Sequence, residues 1–301
     1  IFTKKKIIQK NKPDFVVVEA WHTSIGDTAI KISYDLSIPV LMISHGTSLS
    51  PFSFSLREIT RSLLWLYHKH FIFPSLLKRT TVVACLSTKS TRSNRFYDLH
   101  LLKKFNRKCV KLTNTPVNID ACSKGYVDRN NTVVIIGYFS RIKAQLRAVE
   151  LASLLSKSDI NFIFIGKKSG SYYKKCLSKC KSSNVKFYND EEVHIASQIA
   201  QAKLVLSVSI TEVLPLNLLE AMALGTPFLA TDVGLNRELL SGIVQPYNKY
   251  IFSEIILKVI YEKNFWNSLS DNGFRNYKDN HSKGIVADQL YMCMNRLSKE
   301  K

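Results

Sequence analysis

The sequence predicts an α/β protein built from two Rossmann-like, doubly wound parallel-sheet domains. Three observations carry that expectation. Short β-rich apolar runs alternate with helical stretches along most of the 301 residues, the pattern produced when parallel strands are joined by crossover helices. The alternation breaks once, in a polar stretch from Thr113 to Asn131, and then restarts. A chain of this length holds two domains, each with a full core.

The elements follow in order. A polar, basic lead (residues 4–12) runs into Pro13 to Glu19, a buried strand flanked by turn signals. A helix near Asp27 to Leu36 and a strand from Ile38 to Ser44 follow. Next come a helix from Leu56 to His70, a strand from Thr81 to Ser87, a polar helix from Lys89 to Lys104 and a strand from Cys109 to Leu112. Beyond the break, strands are expected at Thr132–Gly137, Asn161–Gly166, Val185–Tyr188, Leu204–Val208 and Phe228–Thr231. Helices are expected between them at Ala144–Ser156, Tyr172–Lys181 and His194–Ala202, with a helical tail from Tyr250 to Ser298. The expected organisation is a first domain over 1–120, a linker over 121–131, a second domain over 132–282 and a final helix over 283–301.

Composition narrows the function classes. A hydrophobic fraction of 46% belongs to globular rather than disordered chains. No run of eighteen apolar residues occurs, so no transmembrane helix is expected. The charged first ten residues lack the apolar segment of a secretory signal, which points to the cytoplasm. Six scattered cysteines, Cys176-x-x-x-Cys180 among them, complete no zinc pattern. His68 and His70 fit a surface helix better than a metal site. The formal net charge of +20 exceeds what a nucleotide diphosphate requires and points either to a polyanionic neighbour, nucleic acid or an anionic membrane surface, or to a basic bias shared across the proteins of the source organism. Residues 57–79 mix Arg57, Arg61, Lys69, Lys78 and Arg79 with Trp65, Tyr67, Phe71 and Phe73, which suits either a membrane interface or a core-facing helix with a charged outer face.

Two carboxylates stand out in Ser207 to Gly234. Glu212 lies in a loop after an apolar run, and Glu220 follows after seven intervening residues, inside a helix that opens at Pro215 and stops at Gly225. They are not a same-face helical pair, so they can address different parts of one long ligand. The helix start presents free backbone N–H groups and the positive end of the dipole, a docking place for phosphate. Proline suits a first helical turn.

At Glu212, Glu220-Ala-Met-Ala, Gly225-Thr-Pro227, Asp232-Val-Gly234 and Glu238 the chain resembles the retaining, nucleotide-sugar-dependent glycosyltransferases of the GT-B fold, the group 1 or family 4-like enzymes with a Glu-x7-Glu motif. The resemblance implies two Rossmann-like domains facing a cleft, an acceptor-side first and a donor-binding second, with the last helix crossing back to the first. Pro116-Val-Asn-Ile-Asp120 stands where the family closes its first domain with Pro-Asn-Gly-Val-Asp. The family's first domain opens with a strand, a glycine-rich turn and two more strands before anything like Asp14 to Glu19, so an N-terminal portion is expected to be missing.

The same resemblance assigns roles. Glu220 accepts hydrogen bonds from ribose hydroxyls. Glu212 faces the donor sugar and supports developing positive charge, and His45, at the family's His-Gly or His-Asp position, sits near that sugar; these two are the catalytic candidates. Gly137 to Ala144 is similar to the element in which Gly-Arg and Lys-Gly hold the phosphates, with Tyr138 in place of arginine and Ala144 in place of glycine. Gly137, Lys143, Arg141 and the backbone of Leu214, Pro215 and Leu216 are therefore the donor-binding candidates. Trp21 and His22, at the end of a first-domain strand, are candidate acceptor contacts. No cofactor is expected, the nucleotide diphosphate sugar being substrate, and the absence of an Asp-x-Asp motif fits metal independence.

The expected function is retaining, metal-independent transfer of a sugar from a nucleotide diphosphate sugar to a glycan or lipid-linked acceptor in bacterial surface polysaccharide or lipopolysaccharide synthesis. An anionic membrane surface, the inner face of the plasma membrane, is a further candidate partner. One alternative is a non-catalytic nucleotide-sugar-binding remnant, which the departures at Tyr138 and Ala144 favour. Another is a basic nucleic-acid-binding protein, which rests on charge alone and has no recognisable motif, so nucleic acid is not an expected partner.

Overall fold

The computed structural model describes residues 2–19, 23–46, 63, 66–88, 97–105, 109–116, 119 and 129–299. It divides into two compact units, Ile1–Thr113 with Val286–Lys301, and Asn114–Ile285. The division lies ahead of the boundary expected at 120, and the linker expected over 121–131 falls largely outside the described residues.

In the first unit, α1 (Phe2–Asn11) precedes β1 (Val16–Val18), α2 (Ser24–Asp35), β2 (Val40–Ser44), α3 (Phe73–Lys78), β3 (Val82–Cys85), α4 (Tyr97–Lys104) and β4 (Val110–Lys111). The four strands are parallel and pair in the order β1-β2-β3-β4. Every residue of β2 and β3 is buried, the continuous apolar run of a strand covered on both faces. Leu41, Ile43, Val82, Ala84 and Leu112 pack with Cys293 and Leu297 of the last helix, Lys283–Lys299, and Thr113 N donates to Gln289 Oε1 at 2.9 Å. The α2 start is capped by Thr23, whose Oγ1 accepts from Gly26 N at 3.0 Å.

Two helical expectations change. The polar, basic lead, for which no element was expected, forms α1. The helix expected to end at His70, whose earlier part lies outside the described residues, continues as a π-helical turn over His68–Ile72 and then as α3 to Lys78. The widened turn sits directly before Pro74, which has no N–H to donate; Phe73 N reaches back to His68 O instead.

The second unit runs β5 (Asn130–Ile136), α5 (Gln145–Leu154), β6 (Asn161–Ile165), α6 (Gly170–Lys179), β7 (Val185–Tyr188), α7 (Ile195–Gln201), β8 (Ala202–Ser207), α8 (Leu216–Ala223) and β9 (Phe228–Thr231). A 3-10 turn (Asn236–Leu239), β10 (Ile243–Gln245), α9 (Lys249–Tyr261) and α10 (Lys263–Asn280) complete it. Its six parallel strands pair as β10-β9-β8-β5-β6-β7. Strand β10 and the 3-10 turn were not expected, being too short for a periodic signal. Phe162, Phe164, Leu204, Leu206, Phe252 and Ile256 form the centre of the core, each side chain contributing about 1.5–3 kcal/mol by burial.

The strand order places the site. From β5 the chain moves outward through β6 and β7, then returns to the other side of β5 with β8 and moves outward again. Direction reverses between β5 and β8, and in open α/β sheets the crevice beyond the carboxyl ends of such a strand pair is where ligands bind. The loops leaving β5 and β8 are those of Gly137 to Ala144 and Val208 to Pro215.

Candidate active site

These two loops are tied together. Ile210 N donates to Ile142 O at 2.8 Å, and Lys143 Nζ lies 2.6 Å from Glu212 Oε1, with side chains 21% and 10% exposed. Ser209 Oγ donates to the same carboxylate oxygen at 2.7 Å, and Thr231 Oγ1, at the end of β9, holds Ser209 O at 2.6 Å. Glu212 Oε2 meets no protein donor among the described residues. Lys143 uses one of its three donors on Glu212, so the pair retains bonding capacity toward a ligand.

The loop carrying Glu212 is fixed from behind by the Asp-x-Gly element. Gly234 takes a left-handed φ of +58°, and a Cβ there would sit 2.4 Å from Glu212 O and 2.7 Å from Val213 O. Only glycine permits that approach. Leu235 N then donates to Val213 O at 2.8 Å. Asp232, the first residue of the element, pairs with Arg237 at 2.8 Å on the surface.

Helix α8 begins at Leu216, one residue later than expected. Pro215 is its cap, with an extended ψ of 121°. Leu214 and Pro215 are buried and Leu216 is exposed, and the first-turn N–H groups of any helix lack intrahelical acceptors. Asn217 Nδ2 reaches Ile136 O, the last carbonyl of β5, at 3.4 Å, which keeps the helix start beside the Gly137 loop. Glu220 is half-buried one turn further on. Its carboxylate has no hydrogen-bond or ionic partner among the described residues, and burial raises its pKa.

Lys143, Glu212, Gly137 and the start of α8 are thus brought together. Arg141 is in the same loop but is exposed and forms no ion pair among the described residues. Tyr138 is exposed. Ala144, standing where the resembling family has glycine, adopts a left-handed backbone, φ 52° and ψ 37°, so the chain makes the glycine-type turn with an alanine. His45 is exposed directly after β2, at the carboxyl edge of the first unit's sheet. Trp21 and His22 lie outside the described residues. His68 Nε2 sits 3.3 Å from Asp27 Oδ2 of α2. Among the described residues no group of three or more His, Cys, Asp or Glu could hold a metal ion, and no helix is long and apolar enough to cross a membrane.

Ser209, Thr231 and Gln145 were missed by sequence reasoning. Gln145 is 2% exposed and donates to Gly137 O at 3.2 Å and Tyr138 O at 2.9 Å while accepting from Ser140 N at 3.3 Å. The signal was a polar residue heading the apolar stripe of its helix, shared with Ala148, Val149 and Ala152.

Comparison with known proteins agrees with this architecture. Among curated proteins, none matches by sequence. Among solved structures, the chain is similar to a glycosyltransferase from Rickettsia africae, with TM-score 0.71 and 16% identity over 98% of this chain and 80% of that one. It is also similar to HepE from Anabaena in complex with UDP, with TM-score 0.71 and 17% identity over 96% and 81%. A third is the pneumococcal O-GlcNAc transferase GtfA in complex with UDP and GlcNAc, with TM-score 0.67 and 13% identity over 98% and 60%. At such identities the likeness establishes the fold. The family model of the glycosyl transferases group 1 matches residues 122–274, half of the chain and the whole stretch from β5 into α10 that carries Lys143, Glu212 and Glu220. The chain belongs to the glycosyl transferases group 1.

Proposed function

We propose that the protein transfers a sugar, with retention, from a nucleotide diphosphate sugar to a glycan or lipid-linked acceptor, without a metal ion. The observation that carries this is the Lys143–Glu212 pair, held at the strand-order reversal beside the start of α8. The diphosphate gains negative charge as the glycosidic bond breaks, and preorganised donors at its oxygens lower that barrier. Lys143 Nζ and the first-turn N–H groups of α8 are such donors. Glu212, anchored through Oε1, keeps Oε2 for the donor sugar and its developing positive charge. Glu220 is free to accept from ribose hydroxyls. A single flanking carboxylate is not the acid–base pair of a glycosidase, which favours transfer over hydrolysis, and the leaving phosphate then serves as base toward the acceptor hydroxyl. His45 is assigned to the same reaction, and Arg141 to the rim of the donor site.

The solved relatives that bind UDP and UDP-glucose support a nucleotide-sugar donor for this chain. In the first unit, Leu63, Leu66, Tyr67 and Phe71 are exposed at a spacing that places them along one helical stripe, with the Tyr67 and Phe71 rings 5.4 Å apart. With the net charge of +20, that stripe supports a lipid-linked acceptor at an anionic membrane surface, in bacterial surface polysaccharide or lipopolysaccharide assembly.

A thermal-shift panel of UDP- and GDP-sugars tests donor binding, since a ligand of the folded state raises stability. Transfer or donor hydrolysis by the responding pair then tests catalysis. Stabilisation by a nucleotide sugar without turnover would replace the enzyme by a nucleotide-sugar-binding remnant. Absence of any shift would overturn the donor site itself.

A further inference from the structure

The loop between β5 and Lys143 holds an arrangement that the proposed donor chemistry has not used. Gln145 Nε2 binds two successive carbonyls, Gly137 O and Tyr138 O. Both peptides are trans, and in a planar trans peptide the N–H points opposite to the C=O. The N–H groups of Tyr138 and Phe139 therefore both point away from Gln145. Among the described residues neither finds an acceptor.

The turn has little freedom to reorient. Gln145 Oε1 accepts from Ser140 N at 3.3 Å, and Ser140 accepts in turn from Lys143 N at 3.2 Å through Oγ and from Ala144 N at 3.0 Å through its carbonyl. Gly166, directly after β6, abuts the Gly137–Tyr138 peptide: a Cβ there would stand 2.3 Å from Gly137 O and 3.4 Å from Tyr138 N, so the peptide has no room to turn over. The Lys143 stem passes within 3.5 Å of the Cβ position of Gly137, which keeps the ammonium group on the same short loop as the two free N–H groups.

We propose that Gln145 is a positioning residue for the donor diphosphate: by drawing two carbonyls inward it presents the Tyr138 and Phe139 N–H groups, beside Lys143, as an anion-binding turn. Successive backbone N–H groups aimed outward bind phosphate oxygens without a further side-chain charge. This answers the loss of the arginine usual at position 138, because the donors come from the backbone there rather than from a guanidinium. The proposal rests on the donor-site assignment above.

The test compares Gln145→Leu, Gln145→Glu and Leu151→Ala with the wild type. Leu151 is fully buried on the same helix and serves as a stability control. Calorimetry with UDP, GDP, uridine, guanosine and inorganic pyrophosphate measures affinity, and thermal melts measure folding. Gln145→Leu is expected to weaken the nucleoside diphosphate and pyrophosphate by about tenfold, with the nucleoside changed less than about twofold. Gln145→Glu, which faces two carbonyls with a carboxylate, is expected to weaken them at least as much. Leu151→Ala is expected to lower the melting temperature without changing the diphosphate-to-nucleoside ratio. Wild-type diphosphate affinity in both Gln145 variants, or a parallel loss of nucleoside and diphosphate binding, overturns the positioning role and leaves the donor site standing. Failure of the wild type to bind any of these probes overturns both.

Discussion

The two ends of the six-stranded sheet handle buried polar groups in opposite ways. At the amino end, the Arg129 guanidinium donates to Thr226 Oγ1 at 2.6 Å, Leu224 O at 2.8 Å, Ala202 O at 3.1 Å and Ile199 O at 3.4 Å, and lies 5.0 Å from the Trp266 ring. No carboxylate pairs with it among the described residues. Burial lowers its pKa to about 10, so it stays charged at neutral pH and is held by carbonyl dipoles. Lys203 joins the same end, donating to Asn131 Oδ1 at 2.7 Å and Ile260 O at 2.9 Å. At the carboxyl end, Lys143, Glu212 Oε2 and the Glu220 carboxylate keep unused bonding capacity. The first cluster directs its donors to carbonyls and hydroxyls of the protein and ties helix ends to strand starts, whereas the second keeps acceptors that the protein does not fill. One sheet thus keeps the two kinds of polar cluster at opposite ends of its strands.

The comparison breaks if variants at the two ends behave alike. The largest effect is expected from Glu212→Ala, which should cut transfer by about 10²–10³-fold or more while costing about 1–2 kcal/mol of stability, because Lys143 and Ser209 lose their partner; full activity in that variant would remove Glu212 from catalysis. Arg129→Met should do the reverse. It strands the carbonyls of Ala202 and Leu224 and should cost about 3 kcal/mol in denaturant unfolding, with nucleotide affinity of the folded protein unchanged. A loss of affinity without a loss of stability would erase the distinction between the ends.

Two smaller changes sharpen it. Ala144→Gly should stabilise by about 0.5–1 kcal/mol, because glycine accepts the left-handed turn at no steric cost and the gain is offset in part by a freer unfolded chain. Equal or lower stability would mean that the alanine methyl group packs better than the turn strains it. Glu220→Gln carries a pH signature. Burial raises the folded carboxyl's pKa above its unfolded value of 4.5, so the charged form costs stability at neutral pH and the protonated form does not. The sign is therefore a gain for the amide at pH 7 that fades as pH falls through the folded pKa and is gone below 4.5. Melting curves across pH 4 to 7 check it, and a gain independent of pH would exclude desolvation as the cause.

Much of this was legible in the residues. The strand at Phe228–Thr231 begins and ends where its apolar run does, because a parallel strand covered on both faces has to be apolar throughout; Val185–Tyr188, at the sheet edge, tolerates the exposed Lys186. The helix after Glu212 was legible from its proline, its glycine stop and the apolar face between them. The lysine-rich stretch Phe2–Asn11 was not, since its helix shows almost no segregation of apolar residues to one face. Neither was β10, three residues long. Departures from the family pattern at Tyr138 and Ala144 read as weaknesses in sequence, yet Ala144 makes the glycine-type turn and the peptides flanking Tyr138 are held by Gln145.

Local chemistry alone therefore determined that this chain alternates strands with helices, divides into two parallel-sheet units, and carries a helix that opens at Pro215 between Glu212 and Glu220. Those properties depend on residues a few positions apart, where period and capping act directly. Tertiary structure decided which groups meet. Lys143 and Glu212 are separated by 69 positions and become an ion pair only because β8 returns to lie beside β5. Arg129 finds Leu224 95 positions away at the opposite end of the same strands. The choice of neighbours in a parallel sheet is set by packing of the whole unit, and no short stretch of sequence contains it.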